Sequence, residues 1–168
     1  MDEVEEFNSM PAERLQEGLL ACCAAPAWGA RIAAGRPYRG RADIMAAADA
    51  AARGLSWAEV AKGLAAHPRI GERAQGNSTE AAWSRREQSA ARNGDDATRA
   101  ALVEVNQAYE DRFGHVFLIF ASGRSREEIL AAARQRLGND EETERAIVAD
   151  ELRRIALLRL ERLLDALR

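Results

Sequence analysis

Cysteine, histidine and lysine are all scarce in this sequence, and their scarcity excludes several kinds of site. The two cysteines, Cys22 and Cys23, are adjacent, so they provide neither a zinc-binding spacing nor a disulfide framework. They are typical of small hydrophobic residues in a core, and they favour a reducing, cytoplasmic location. The two histidines, His67 and His115, have no metal-motif spacing either. The sequence therefore predicts no metal site.

Long apolar runs and a strong net charge are also absent. No stretch approaches the roughly 20 apolar residues that cross a bilayer. The acidic segment from Met1 to Glu6 lacks the basic and apolar regions of a signal peptide. The formal net charge is −3, so no general polyanion-binding surface is implied. We therefore expect no membrane partner and no nucleic-acid partner.

Helical spacing of apolar residues, separated by turn and capping signals, fills most of the chain. A length of 168 residues suits one domain, taken as 1–168. The patterns predict an all-α fold, a compact single-domain bundle of about eight helices. These helices are expected near 11–25, 28–32, 41–53, 57–67, 79–92, 96–113, 126–137 and 140–167.

One segment, about 115–120, breaks the helical pattern. It is apolar and β-branched enough for a strand, but no second strand is evident to pair with it. We therefore expect an isolated extended segment among helices. Its backbone groups need hydrogen-bond partners, and a ligand could supply one.

The stretch around His67 is the first candidate site. Pro68 disfavours the α conformation at the residue before it, so a helix should end near His67. Gly71 then permits a sharp turn. Imidazole is the side chain whose ordinary pKa lies nearest neutrality. The residues alone allow a catalytic histidine or an ordinary turn histidine.

Two further patterns have two interpretations each. Ser84, Glu87 and Gln88 share one face of a predicted helix, either as a solvated polar stripe, which the spacing favours, or as the polar wall of a pocket. Arg159 interrupts an apolar stripe on the last helix. Its head group could reach water from a packed stem, or its planar fork could hold an anionic ligand.

Together these residues resemble a known family. The motifs Ala66–Gly71, Ser84–Gln88, Asn106–Glu110, Phe113–Ile119 and Ala121–Ser125, in this order, are similar to those of 2-oxo-4-hydroxy-4-carboxy-5-ureidoimidazoline (OHCU) decarboxylases. The resemblance spans nearly the whole chain. Phe120 departs from the pattern, because many family members carry a smaller residue there.

The resemblance implies an all-helical, cofactor-free and usually dimeric enzyme that converts OHCU to S-allantoin. By motif, His67 and Glu87 match the catalytic histidine and acid. Substrate-binding positions are matched by Pro68, Ser84, Gln88, Phe117, Ile119 and Arg159.

The chemistry is consistent with this resemblance. Loss of CO2 leaves an electron pair that an adjacent C=O or C=N group can hold, so the enzyme must stabilise charge and deliver one proton. A histidine with a carboxylate nearby suits that work. Two alternatives remain: a non-catalytic helical interaction module, and a metal-dependent ureide hydrolase. The absence of a metal-binding spacing argues against the hydrolase.

Overall fold

The computed structural model describes residues 1–70, 79–88 and 96–168. These ranges contain nine helices and no strand, which confirms the predicted all-α class. The helices are α1 (Glu3–Ser9), α2 (Ala12–Cys22), α3 (Pro26–Ala34), α4 (Arg41–Arg53), α5 (Trp57–Leu64), α6 (Thr79–Glu87), α7 (Asp96–Phe113), α8 (Arg126–Leu137) and α9 (Glu141–Ala166).

Helix α1 was not predicted from the sequence. Its signal was present, because Asp2 and Glu5 form a reciprocal capping box at its start. Its other end is held by Arg36, whose Nη1 donates to the carbonyl oxygens of Phe7 and Met10, at 3.1 and 2.7 Å. A guanidinium thus satisfies carbonyls at the end of α1 that the helix itself leaves without donors.

The chain divides into two compact units. The terminal unit comprises residues 1–63 and 152–168, and the central unit comprises residues 64–151. The single domain over 1–168 stays a prediction.

The terminal unit is built around a fully buried Trp28. Its indole Nε1 donates to the carbonyl oxygen of Ala48 on α4, at 3.0 Å, so the ring is both packed and satisfied. Cys22 and Cys23, which precede Trp28 in the sequence, are both buried, as predicted for small hydrophobic residues.

Helix ends follow the local signals in most cases. Gly114, with φ of +79°, follows the end of α7, and Ser125 with Glu128 caps α8 as predicted. The predicted end of α5 at His67 was wrong by one turn, because the helix ends at Leu64. His67 N–H donates instead to Leu64 O, at 3.0 Å, in the tighter i→i−3 pattern of a fraying end.

None of the described helices is long and apolar enough to cross a membrane.

Candidate functional site

Most of the predicted site residues belong to the central unit. His67, Pro68, Ser84, Glu87, Gln88, Phe117 and Ile119 all fall within residues 64–151. Arg159 is the exception, because it lies in the terminal unit.

The turn that carries His67 is held by α7. His67 and Pro68 are half-buried, and the Ile70 side chain is buried in an apolar cluster. The Asn106 side-chain Nδ2 donates to Ile70 O at 2.8 Å. One turn further along α7, the Glu110 carboxylate accepts from Arg69 Nε, at 2.9 and 3.0 Å to its two oxygens. The imidazole is therefore carried by a turn with three anchors. The predicted role of Gly71 lies outside the described residues.

The polar face of α6 is buried. Ser84, Glu87 and Gln88 are exposed by 3%, 8% and 9% respectively, and Ala81 on the same helix is also buried. A solvated stripe, which the spacing alone favoured, is therefore wrong. Each of these three polar residues makes interactions. A polar group is seldom buried without such partners, because desolvation is costly. The remainder of the helix predicted for 79–92 lies outside the described residues beyond Gln88.

The segment after α7 is the isolated one that the sequence predicted. The Phe117 and Ile119 side chains enter the same apolar cluster as Ile70, whereas Leu118 is buried outside that cluster. This alternation indicates an extended chain. Ile70 follows His67 by three residues, so the cluster brings the His67 turn and this segment together.

Backbone hydrogen bonds of the segment use alternate residues. Leu118 O accepts from Arg136 Nη1 at 2.7 Å, and Phe120 N–H donates to Glu151 Oε2 at 3.2 Å. Within the part of the chain that the structure describes, no hydrogen bond uses the backbone of Phe117 or Ile119. In an extended chain, alternate residues direct their backbone groups to opposite sides. One side of the segment is therefore fixed by Arg136 and Glu151, whereas the backbone on the other side makes no hydrogen bond to another described residue.

A network of buried polar and charged side chains supports the side of the extended segment that is hydrogen-bonded to Arg136. Arg136 Nε donates to Glu144, and the Tyr109 hydroxyl donates to Glu144 Oε2 at 3.2 Å. Burial, with the neighbouring Glu144 carboxylate, raises the pKa of the Tyr109 phenol above its ordinary value. Tyr109 is therefore a neutral donor at physiological pH.

Arg159 is buried, with about 1% of its surface exposed. Its Nη1 donates to Ala21 O at 3.3 Å, in the last turn of α2. A cation there is favoured by the negative end of the helix dipole. The interpretation in which its head group reaches water is therefore wrong. The guanidinium is buried, and one of its donors binds a backbone carbonyl oxygen.

Within residues 1–70, 79–88 and 96–168, no group of three or more His, Cys, Asp or Glu side chains is arranged to hold a metal ion. Metal independence and the absence of a cofactor stay predictions.

Several buried polar residues have no role that is predicted from the sequence. Four buried residues support the His67 turn and the extended segment. Asn106 and Glu151 bind the backbone of these segments, and Arg136 binds Glu144. Asn106 lies within a motif used for the family resemblance, which was the available signal. Arg136 and Glu144 are separated by a helix break, and no local pattern pairs them.

Comparison with known proteins gives consistent matches. A family model described as OHCU decarboxylase matches residues 8–161. The 2-oxo-4-hydroxy-4-carboxy-5-ureidoimidazoline decarboxylase of Amia calva is 30% identical over 166 residues, covering 95% of this chain and 93% of that protein. The uric acid degradation bifunctional protein TTL of Arabidopsis thaliana is 31% identical over 145 residues, 84% of this chain and 45% of that longer protein.

The fold has a solved counterpart. A crystal structure of OHCU decarboxylase in the presence of (S)-allantoin matches with a TM-score of 0.74 and 26% sequence identity. The match covers 87% of this chain and 96% of that one.

Proposed function

Since the chain belongs to the OHCU decarboxylase family, we propose that it removes CO2 from OHCU stereoselectively and releases S-allantoin. Its family and the named relatives identify it as a decarboxylase of urate degradation. The product, its handedness and the residue roles that follow are parts of the proposal.

The observation that carries the proposal is the buried polar face of α6. Ser84, Glu87 and Gln88 combine a hydroxyl, a carboxylate and an amide, and all three are nearly excluded from water. Such groups suit a ureido substrate, which presents N–H donors and C=O acceptors along one edge. We assign Ser84 and Gln88 to substrate hydrogen bonds, and Glu87 to acid–base work.

His67 supplies the proton in this proposal. Decarboxylation breaks the bond to the carboxylate carbon and leaves its electron pair on the ring carbon, where an adjacent C=O or C=N group spreads the charge. A proton from the His67 imidazole then closes the reaction on one face of the ring. Glu87 orients the imidazole and favours its protonated form. The face that His67 covers sets the handedness of the product.

Three further contacts would hold the substrate. The Pro68 ring, next in sequence to His67, would pack against the imidazoline ring of the substrate. The backbone of Phe117 and Ile119 makes no hydrogen bond to another described residue, and we assign it to the polar atoms of the substrate ring. Arg159 offers a planar donor fork that suits a carboxylate.

The alternative function is a non-catalytic helical interaction module. Such a module would have no need to bury an acid, an amide and a hydroxyl on one short helix. It would also leave the chirality of allantoin unchanged.

We further propose that the enzyme is a homodimer, which light scattering would report as twice the single-chain mass.

The test uses freshly prepared OHCU and circular dichroism of the allantoin formed. Spontaneous decay of OHCU yields racemic allantoin, so an optical signal reports enzyme action. We expect the protein to speed the loss of OHCU and to give optically active product. Racemic allantoin formed at the spontaneous rate would exclude the proposal and leave the interaction module.

A further inference from the structure

Two side chains of α7 contact successive residues of the turn after His67. Asn106 binds the Ile70 carbonyl, and Glu110 binds the Arg69 guanidinium. They are four residues apart, so they lie on one face of the helix. We propose that Asn106, assisted by Glu110, is a positioning residue that fixes the His67 imidazole for proton transfer. This inference rests on the proposed function of His67.

The turn depends on such contacts because regular structure ends before it. Helix α5 ends at Leu64, and the hydrogen bond from His67 N–H to Leu64 O lies just beyond its end. Among the described residues after His67, Ile70 is held by its side chain in the apolar cluster and by Asn106 of α7. Removing the Asn106 donor would leave a carbonyl facing an apolar side chain and would free the turn to shift.

The burial of Asn106 supports a specific need for its donor. The side chain is 6% exposed, and its Nδ2 faces Ile70 O. Its Oδ1 has no hydrogen-bond partner among the described residues. A leucine would fill nearly the same volume without burying that oxygen, so packing alone does not account for an amide at this position.

Glu110 should contribute less than Asn106 to fixing the turn, because its contact with Arg69 is more exposed. The Arg69 side chain is 51% exposed and the Glu110 side chain 16% exposed, so solvent screens the ion pair. The expected order of effects is therefore Asn106 first, then Glu110. Arg69 has a further interaction, so loss of Glu110 does not release it entirely.

The first test compares Asn106→Leu with Gln107→Met. Gln107 is the next residue on α7, is exposed, and bonds to Asp111 on the surface, so its replacement is a matched control. We expect Asn106→Leu to lower kcat by about 10- to 100-fold with little change in KM, because misplacing a catalytic group by about 1 Å has effects of this size. Glu110→Gln should lower kcat by a smaller factor, and Gln107→Met should leave it unchanged.

The second readout is nuclear magnetic resonance of the two imidazoles. The chain has two histidines, so a His115→Asn variant assigns both ring signals. Asn106→Leu should shift or broaden the His67 ring signals, whereas Gln107→Met should not. Because this measurement needs no substrate, it tests positioning even if the protein proves inactive on OHCU.

The outcomes separate the inference from the proposed function. An unmoved His67 signal with normal kcat in a folded Asn106→Leu protein would overturn the inference. If that variant does not fold, Asn106→Asp asks the same question, since it keeps the shape but replaces the donor with an oxygen that repels Ile70 O. If the wild-type protein does not act on OHCU but Asn106→Leu still shifts the His67 signal, the positioning role stands and the proposed activity falls.

Discussion

Arg136 Nε donates to both carboxylate oxygens of Glu144, at 2.7 and 3.1 Å, where the two side chains are 7% and 1% exposed. The same guanidinium donates from Nη1 to Leu118 O. A single buried cation therefore links the C-terminal part of α8, the start of α9 and the extended segment. The contribution of Arg136 to stability depends on its pairing with Glu144. Removing one partner leaves a buried, unpaired charge, which costs far more free energy than replacing both residues with apolar ones.

Replacing Arg136 with methionine should be strongly destabilising. It leaves the Glu144 charge buried, and we expect a loss of about 3–5 kcal/mol in the free energy of unfolding. Adding Glu144→Gln should recover part of that loss, because the amide is uncharged and can still accept from Tyr109. Denaturant unfolding of the two single variants and the double variant measures this. Strictly additive losses would contradict a coupled pair.

The sequence predicted the fold where the signal is local. The Ser125–Glu128 capping box and Gly114 each mark a helix end that a few neighbouring residues determine. It could not pair Arg136 with Glu144, because they lie eight residues apart across the break at Gly138, and charge patterns do not specify a partner at that distance. Helix α1 also has a local signal, the Asp2–Glu5 capping box, but the sequence prediction did not use it.

In the candidate site, too, the sequence predicted the local features and not those that depend on distant parts of the chain. Periodicity placed Ser84, Glu87 and Gln88 on one face, but it cannot tell whether polar residues face water or a packed neighbour. Burial is decided by the rest of the fold, and it reversed the interpretation that spacing favoured. Pro68 predicted that the helix would end by His67, yet it restricts the preceding residue alone and did not reveal the earlier exit at Leu64.

Stability should decline at alkaline pH because of Tyr109. Burial and the Glu144 carboxylate raise the pKa of its phenol in the folded state. The folded state therefore holds this proton more tightly than the unfolded chain, whose tyrosine pKa is about 10. The corresponding stabilisation is complete below about pH 10 and falls as pH rises above it.

Unfolding free energies measured across that range should therefore fall more steeply in wild type than in Tyr109→Phe. Tyr38→Phe is the control for the second tyrosine, whose pKa is also raised by burial. Equal slopes for wild type and Tyr109→Phe would rule out this source of the alkaline decline.

His67→Asn and Glu87→Gln should each remove most activity while the helical fold survives. General acid–base groups contribute about 10²–10⁴-fold to rates, so each kcat should fall by a factor in that range. Initial rates on fresh OHCU, with circular dichroism as the check on folding, measure this. Glu104→Gln, an exposed carboxylate on α7, should keep the wild-type rate. Near-normal turnover in either folded site variant would remove that residue from the mechanism.

Decarboxylation should not depend on a metal ion. The reacting ring offers its own C=O or C=N group to hold the electron pair, so a Lewis acid is not required by the chemistry. Exhaustive dialysis against a chelator should leave the rate of OHCU loss unchanged. An activity lost on dialysis and restored by one divalent metal would show that the proton-transfer scheme is incomplete.

Arg159 should prove necessary for substrate use and dispensable for folding. Its guanidinium is buried and donates to the Ala21 carbonyl, and its planar fork matches a carboxylate in a way that a lysine ammonium does not. We therefore expect Arg159→Lys to raise KM and lower kcat/KM strongly, and Arg159→Met to lower kcat/KM further.

The melting temperature of the same Arg159→Met protein decides between a receptor and a structural cation. Methionine loses the bond to Ala21 and the further interactions of Arg159, but it also removes a buried charge, so these effects partly cancel and the net change should stay within about 2 kcal/mol. Arg154→Met, an exposed arginine on the same helix, controls for the loss of one positive charge from α9. A structural Arg159 would give the opposite pattern in the methionine variant: a large fall in melting temperature, with turnover per folded molecule unchanged.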